Sequence, residues 1–261
     1  MKKYLKLYGH TFRLAIMKNM AYPQDFIVWL IVDILWSVIN LVFFKIILLS
    51  VPTISGWTFE RLILPLGFIQ ILNAFIWGLM YGNMKEIPND VNKGNLDLYL
   101  SKPANSQFLV STRYLGLNLI SSFLIGIFLV WYGLSINNVL SIFNVTIVLV
   151  ATCASVIISY SIWFMIVTTS LWFSRLKNIA EVFPHSVDIA RYPVDIFNPF
   201  MRFIFTFIIP FAILGFLPAD IVLNKTSPWY IFGPVFMATV LLYLSHRFWN
   251  FALRHYSSAS S

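Results

Sequence analysis

Between Val139 and Phe173 the chain runs for 35 residues without a charge. As one straight helix that stretch would measure about 52 Å, against about 30 Å of hydrocarbon in a bilayer. An apolar run of this length reads as a membrane span that must tilt, project into the headgroups, or break. The rest of the chain agrees with this. Of its 261 residues, 59% are hydrophobic and 11% charged. A soluble domain carries roughly 25% charged residues. Too few charges remain to coat a globule, and there is too much apolar matter for disorder. The expectation is an all-α, polytopic membrane protein in which residues 1–261 form a single membrane domain.

Six spans can be read: near Phe26 to Leu49, near Leu62 to Gly82, near Phe108 to Tyr132, within Val139 to Phe173, near Arg202 to Leu217, and near Trp229 to His246. The fifth is short and contains Pro210. The chain carries a surplus of +8. In a soluble protein that would suggest nucleic acid, but here lysines and arginines set orientation instead, and no nucleic-acid partner is expected. With the N-terminus in the cytoplasm, fifteen of the 18 basic residues fall on the inner side; only Lys45, Arg61 and Lys225 fall near the outer one. Six spans then return the C-terminus to the cytoplasm.

The first 20 residues lack the uninterrupted apolar core of a signal peptide, because Lys18 breaks it. Lys2, Lys3, Lys6, His10 and Arg13 share one helical face, and Tyr4, Leu5, Tyr8, Phe12, Ala15 and Ile16 the other. This suits a helix lying in the inner interface, its bases toward anionic headgroups. The alternative is a cytoplasmic helix packed on a partner.

The longest polar stretch, residues 84–107, follows span 2. It holds Lys85, Glu86, Asp90, Lys93, Asp97 and Lys102 together with an apolar cluster of Leu96, Leu98, Tyr99 and Leu100. Gly94 can end a first short helix, since glycine accepts the left-handed position after a helix, and Pro103 limits a second. Such a helix could dock into a groove on a soluble partner, its leucines inserted; a solvated connector is the other reading. In residues 178–201, Glu181, His185, Asp188, Arg191 and Asp195 share a helical face that Pro184 and Pro193 would break. We read a broken amphipathic helix at the inner interface leading into span 5, or a polar stripe facing the bundle interior.

Asp33 lies inside span 1, where an acid is costly and marks a candidate polar site. It is about 18 Å along the helix from Lys45, too far to pair. A partner on another span, an Asn or Ser bond, or protonation would each satisfy it. Ala151, Ser155 and Ser159 recur every four residues and form a packing face. Cys153, the one cysteine, reads as a small buried core residue. Trp229 and Tyr230 at one end of span 6, and Phe248 and Trp249 at the other, read as interface anchors. The four histidines have no metal-ligand spacing, and neither a phosphate-binding loop nor a nucleophile elbow is present.

The string GNLDLYLSKPANSQF, Gly94 to Phe108, resembles a stretch found after span 2 in a small family of type-2 ABC transporter permeases. ARYPVDIF (Ala190 to Phe197) and FIIPFAILGFLPA (Phe207 to Ala219) also resemble that family. The resemblance covers nearly the full length. It implies a membrane subunit without a nucleotide site of its own. No catalytic residue, metal or cofactor is expected on this chain; ATP and Mg would sit on partner ATPase subunits in the cytoplasm. A second permease chain, identical or related, would complete the pore in a bacterial inner membrane. The loop after span 2 would be the coupling segment. Gly94, Leu96, Asp97, Leu100, Lys102 and Pro103 match the family's loop motif, and Glu86 and Asp90 precede them in that segment. The amphipathic residues 1–20 match the family's interfacial helix. Re-entrant outer helices between spans 5 and 6 are also implied, yet only Pro218 to Trp229 are available unless they draw on span 5.

The reading is an exporter permease subunit. A stand-alone channel or secondary transporter would predict several charges along an intramembrane path, and Asp33 is the one clear case. A membrane enzyme is disfavoured by the lack of a histidine or acid constellation. The substrate is not readable; an aromatic share of 18% suits an amphipathic cargo and ordinary packing equally.

Overall fold

A computed structural model describes residues 9, 12–14, 16–17, 23–116, 118–173 and 178–256. The N-terminal segment read as an interfacial helix lies largely outside the described residues, as do Arg175, Lys177 and the serine-rich tail. Among the described residues the protein is helical, with one isolated bridge between Ile54 and Trp57 closing the turn before the second helix.

Five helical stretches among the described residues are long and apolar enough to cross a membrane. The first is α1, Pro23–Ser50. The second joins α2 (Phe59–Phe75), a five-residue π-turn (Ile76–Met80) and α3 (Tyr81–Lys93) into 35 continuous residues. A one-turn helix α4 (Asp97–Leu100) and a short α5 (Ser106–Ser111) lead to α6, Asn118–Ile136. Next come α7 (Ile142–Thr168) and the short α8 (Ile179–Ser186). Three further short pieces are α9 (Pro199–Phe203), α10 (Phe211–Leu214) and α11 (Phe216–Val222). Last is α12, Phe232–Arg254.

Local chemistry explains the boundaries. The uncharged run is shortened at its start: Asn138 takes φ +56° and Ser141 caps α7, accepting from the Asn144 amide at 3.1 Å. Span 3 begins later than Phe108, because residues 108–111 belong to α5 and the chain breaks before α6.

The α2–α3 rod is the centre of the bundle; its apolar window is 72% buried, against 11% for α1. It packs on α6 almost backbone to backbone. A Cβ on Gly126 would meet the Ile71 nitrogen at 2.8 Å, and one on Gly78 the Leu119 Cα at 2.7 Å. Close approach of this kind is what small residues permit between membrane helices, where packing rather than water exclusion drives association. Two apolar clusters result. One gathers Ile69, Ile76, Met84, Trp163 and Trp249 toward the end of the bundle that carries Lys85. The other gathers Phe44, Trp57, Leu64, Val130 and Phe216 toward the opposite, Trp57 end. Ala151, Ser155 and Ser159 are all buried, and Ser155 donates to the Ile213 carbonyl at 3.4 Å, so the expected packing face of α7 receives α10.

The anticipated fifth span is not one helix. From α8, whose Ala180 carbonyl accepts the Trp163 indole at the Lys85 end, the chain climbs along α2. Arg191 reaches Asn40, near the middle of α1, at 3.2 Å, and Tyr192 packs against Phe43 and Phe44. Asp195 arrives within electrostatic reach of Asp220 and Lys225, and Lys225 lies over Trp57. The chain then turns back: Phe197 contacts Phe205, Phe205 contacts Phe211, and Gly215 abuts Ile69 and the Ala190 carbonyl. Finally α11 rises again to the Trp57 end, where Phe216 meets Trp57. The reversal falls at Ile209, which is extended (φ −120°, ψ 87°), and at Pro210, which has no amide to continue the helix. The residues read as a straight span, Arg202 to Leu217, therefore form a hairpin within the bundle. Residues 178–201, read as a broken amphipathic helix at the inner interface or as a polar stripe facing the bundle interior, run along the bundle from the Lys85 end toward the Trp57 end. Two basic residues move accordingly: Arg191 sits halfway along α1, and Arg202 pairs with Asp195.

Two side-chain expectations are also corrected. Cys153 is exposed on α7, because the buried face there belongs to Ala151, Ala154 and Ser155. Trp249, expected at an interface, is fully buried and donates to Ser106 at 3.0 Å.

Candidate functional site

At the Lys85 end, α3 carries the chain well past its apolar portion before stopping. Gly94 takes φ +72° and its amide returns to the Val91 carbonyl at 3.4 Å, the left-handed stop anticipated from the sequence. The helix it ends is the continuation of span 2 rather than a short separate one. Leu96 then drops into the core among Met84, Ile87, Val91 and Val110 and is fully buried. This overturns the expectation that it faces outward. Leu98, on the following turn, is 63% exposed. Leu100 and Tyr99 are half-buried against the same core.

A buried polar clamp fixes this turn to the bundle. Asn83 is inaccessible, and its oxygen accepts the amides of Arg113 at 2.7 Å and Tyr114 at 2.9 Å. Its nitrogen donates to the carbonyls of Leu79 at 2.7 Å and Tyr114 at 3.0 Å. All four bonding positions of the amide are used, so one side chain joins α3 to the segment between α5 and α6. Next to it Arg113 pairs with Asp90, both nearly buried, and the guanidinium lies 4.5 Å from the centre of the Tyr99 ring. Burial alone would lower the affinity of Arg113 for its proton; Tyr99 and Asp90 outweigh it and hold the group above its ordinary range. Burial, with the Glu86 carboxylate next, pushes the Tyr114 phenol up, so it stays neutral at physiological pH. One turn deeper, the Gly78 carbonyl within the π-turn accepts the Gly116 amide at 2.6 Å.

Of the loop residues anticipated from the sequence, the fold joins most into one structure in two roles. Asp90 and Leu96 face inward and hold the turn; Gly94 permits it. Lys102 and Pro103 are exposed, Lys102 lying 5.0 Å over Tyr99, while Glu86, Asp97 and Leu100 are half-buried. The loop's far end is equally secured. Asn105 caps α5, and Gln107 donates to Tyr160 of α7 at 3.2 Å and to Ser245 of α12 at 3.3 Å. His246 contacts the Gln107 oxygen at 2.9 Å. Asn83 and Arg113 were missed by sequence reasoning. Arg113 had been counted only for orientation, although a charge beside an apolar run needs a partner, and Asp90 was available.

Asp33 stands apart from this region of the loop. Ser121 of α6 donates to its carboxylate, and the Ser37 hydroxyl bonds to its backbone carbonyl at 2.8 Å. The acid in span 1 is thus satisfied by a serine from another helix, one of the partners anticipated.

Membrane-length helices around a glycine-tight centre, with a clamped polar loop at one end, define a multi-pass membrane protein. The chain belongs to the ABC-2 family: the family model described as "ABC-2 family transporter protein" matches residues 34–260. It is therefore a permease component of an ABC transporter. No curated protein matches the chain.

Proposed function

We propose that this permease serves an ATP-driven exporter, works beside a second permease chain, and is driven by separate cytoplasmic ATPase subunits that hold ATP and Mg. The Lys85 end faces the cytoplasm of a bacterial cell, with both termini there. Segment 179–198 makes the additional crossing, and residues 199–222 re-enter from the outer side. The observation that carries this reading is the clamped turn at residues 94–100. It offers one exposed leucine, Leu98, on a base that Asn83, Asp90, Arg113 and Leu96 tie rigidly to the central helix. A docked ATPase that moved this turn would move α2 and α3 with it. Nucleotide binding would then select one of two arrangements of the pair, which is a differential-contact mechanism.

The test is co-expression and co-purification with a cognate ABC ATPase, followed by ATP hydrolysis in the reconstituted complex. A stable complex with coupled hydrolysis is expected, and Leu98→Ala should lower association about tenfold or more while the permease still inserts. Transport by the chain alone, with no ATPase, would replace this reading with a stand-alone carrier.

A further inference from the structure

The last turns of α12 present a basic stripe that loop docking does not use. Arg247, Asn250 and Arg254 lie three and four residues apart, on one helical face. They line a cavity of about 740 Å³ whose other walls include Met165 of α7, Leu244 and Phe251. Arg113, Arg191 and Arg202 each pair with an aspartate, whereas Arg247 and Arg254 have no carboxylate partner among the described residues. Both are exposed. Arg254 in the final turn also opposes the negative end of the helix dipole, but Arg247, two turns back, has no such role. Asn250 contacts the His246 ring nitrogen at 3.0 Å, which sets the amide at the cavity edge.

We propose that this cavity binds an anionic glycerophospholipid, its phosphate held by Arg247 and Arg254 with Asn250 beside it, and its acyl chains against Met165, Leu244 and Phe251. Charge complementarity selects the occupant: two exposed arginines seven residues apart, about 10 Å of helix, beside an apolar wall. A basic pocket between membrane helices suits a lipid phosphate, since the head is paired while the tails stay in hydrocarbon. A zwitterionic lipid brings its own cation against the arginines and gains less. A soluble phosphate ester lacks the tails and forgoes the apolar wall. The site does not depend on ATPase coupling, so it stands or falls separately from the exporter reading.

The test is native mass spectrometry of the full chain in detergent, titrated with dioleoyl-phosphatidylglycerol or dioleoyl-phosphatidylcholine. Phosphatidylglycerol should bind at least about tenfold more tightly, with the preference falling as salt rises. Arg247→Gln with Arg254→Gln should weaken it about 30-fold, at about fivefold per basic residue near an anionic headgroup. Arg247→Lys with Arg254→Lys should keep most of the binding, because the charge remains. Lys93→Gln with Lys102→Gln removes the same charge from the same end and should leave the affinity unchanged. Equal binding of the two lipids by the unmodified chain would overturn the proposal without recourse to any variant. So would an equal loss in the lysine pair, displacement by soluble glycerol phosphate, or a second copy of the chain taking the lipid's place.

Discussion

Leu96 and Leu98 are two residues apart and face opposite surroundings, and the difference separates stability from docking. Leu96→Ala should cost about 2–5 kcal/mol, the range for a buried leucine left with a cavity. Leu98→Ala should change stability by no more than about 0.5 kcal/mol, as for other surface substitutions, while weakening ATPase association. Thermal unfolding in detergent beside ATPase pull-down reads both; a Leu98 variant that is unstable but docks normally would reverse the assignment. The Asp90–Arg113 pair sets a sharper demand. Asp90→Ala strands a buried guanidinium and should cost about 3–5 kcal/mol, whereas Asp90→Leu with Arg113→Leu should recover much of that loss. If the single change is harmless in the unfolding assay, the clamp contributes nothing to the loop's rigidity.

At the scale of elements, the contact between α2 and α6 rests on missing side chains. Gly126→Ala must push the Ile71 backbone, and a loss of about 1–3 kcal/mol is expected. Gly233→Ala on α12 meets nothing within 4 Å and should be neutral or slightly stabilising. Comparing the two melting temperatures checks that the penalty comes from helix contact rather than from alanine itself. Hydropathy revealed α1, α2, α7 and α12 because an apolar run needs no partner to be recognised. Gly94 was readable as a stop because its conformation is local. The hairpin at Ile209 and Pro210 was not, since its apolar residues look alike whether the chain crosses or turns back. Nor was the inward face of Leu96, because Gly94 resets the helical phase just before it. The clamp escaped for a related reason: Asn83 and Arg113 are 30 residues apart, and only the fold brings them together.

For the whole molecule, the charge bias and the hairpin make competing statements about one residue. Counting lysines and arginines placed Arg202 inside, yet Arg202 pairs with Asp195 near the Trp57 end. Cysteine labelling in a Cys153→Ala background decides. An impermeant maleimide added to intact cells should label Arg202→Cys and Lys225→Cys and leave Lys93→Cys untouched. Labelling of Lys93→Cys from outside would invert the whole topology; protection of Arg202→Cys alone would restore the straight fifth span. Without Arg191 and Arg202, Lys85, Lys93, Lys102, Arg113, Arg247 and Arg254 still gather at the Lys85 end among the described residues, so the orientation does not depend on those two.

The uninterrupted passage from α2 into α3 has a mechanical consequence. From Ile69, near the bundle's middle, to Lys93 is about 36 Å of helix, so a tilt of roughly 10° about that midpoint carries the tip through about 6 Å. The central helix is then a lever with its long arm outside the hydrocarbon, converting a small angular change among tightly packed glycines into a stroke the size of a helical turn. The π-turn at Ile76–Met80 lies close to the fulcrum, where a helix with one strained turn gives first.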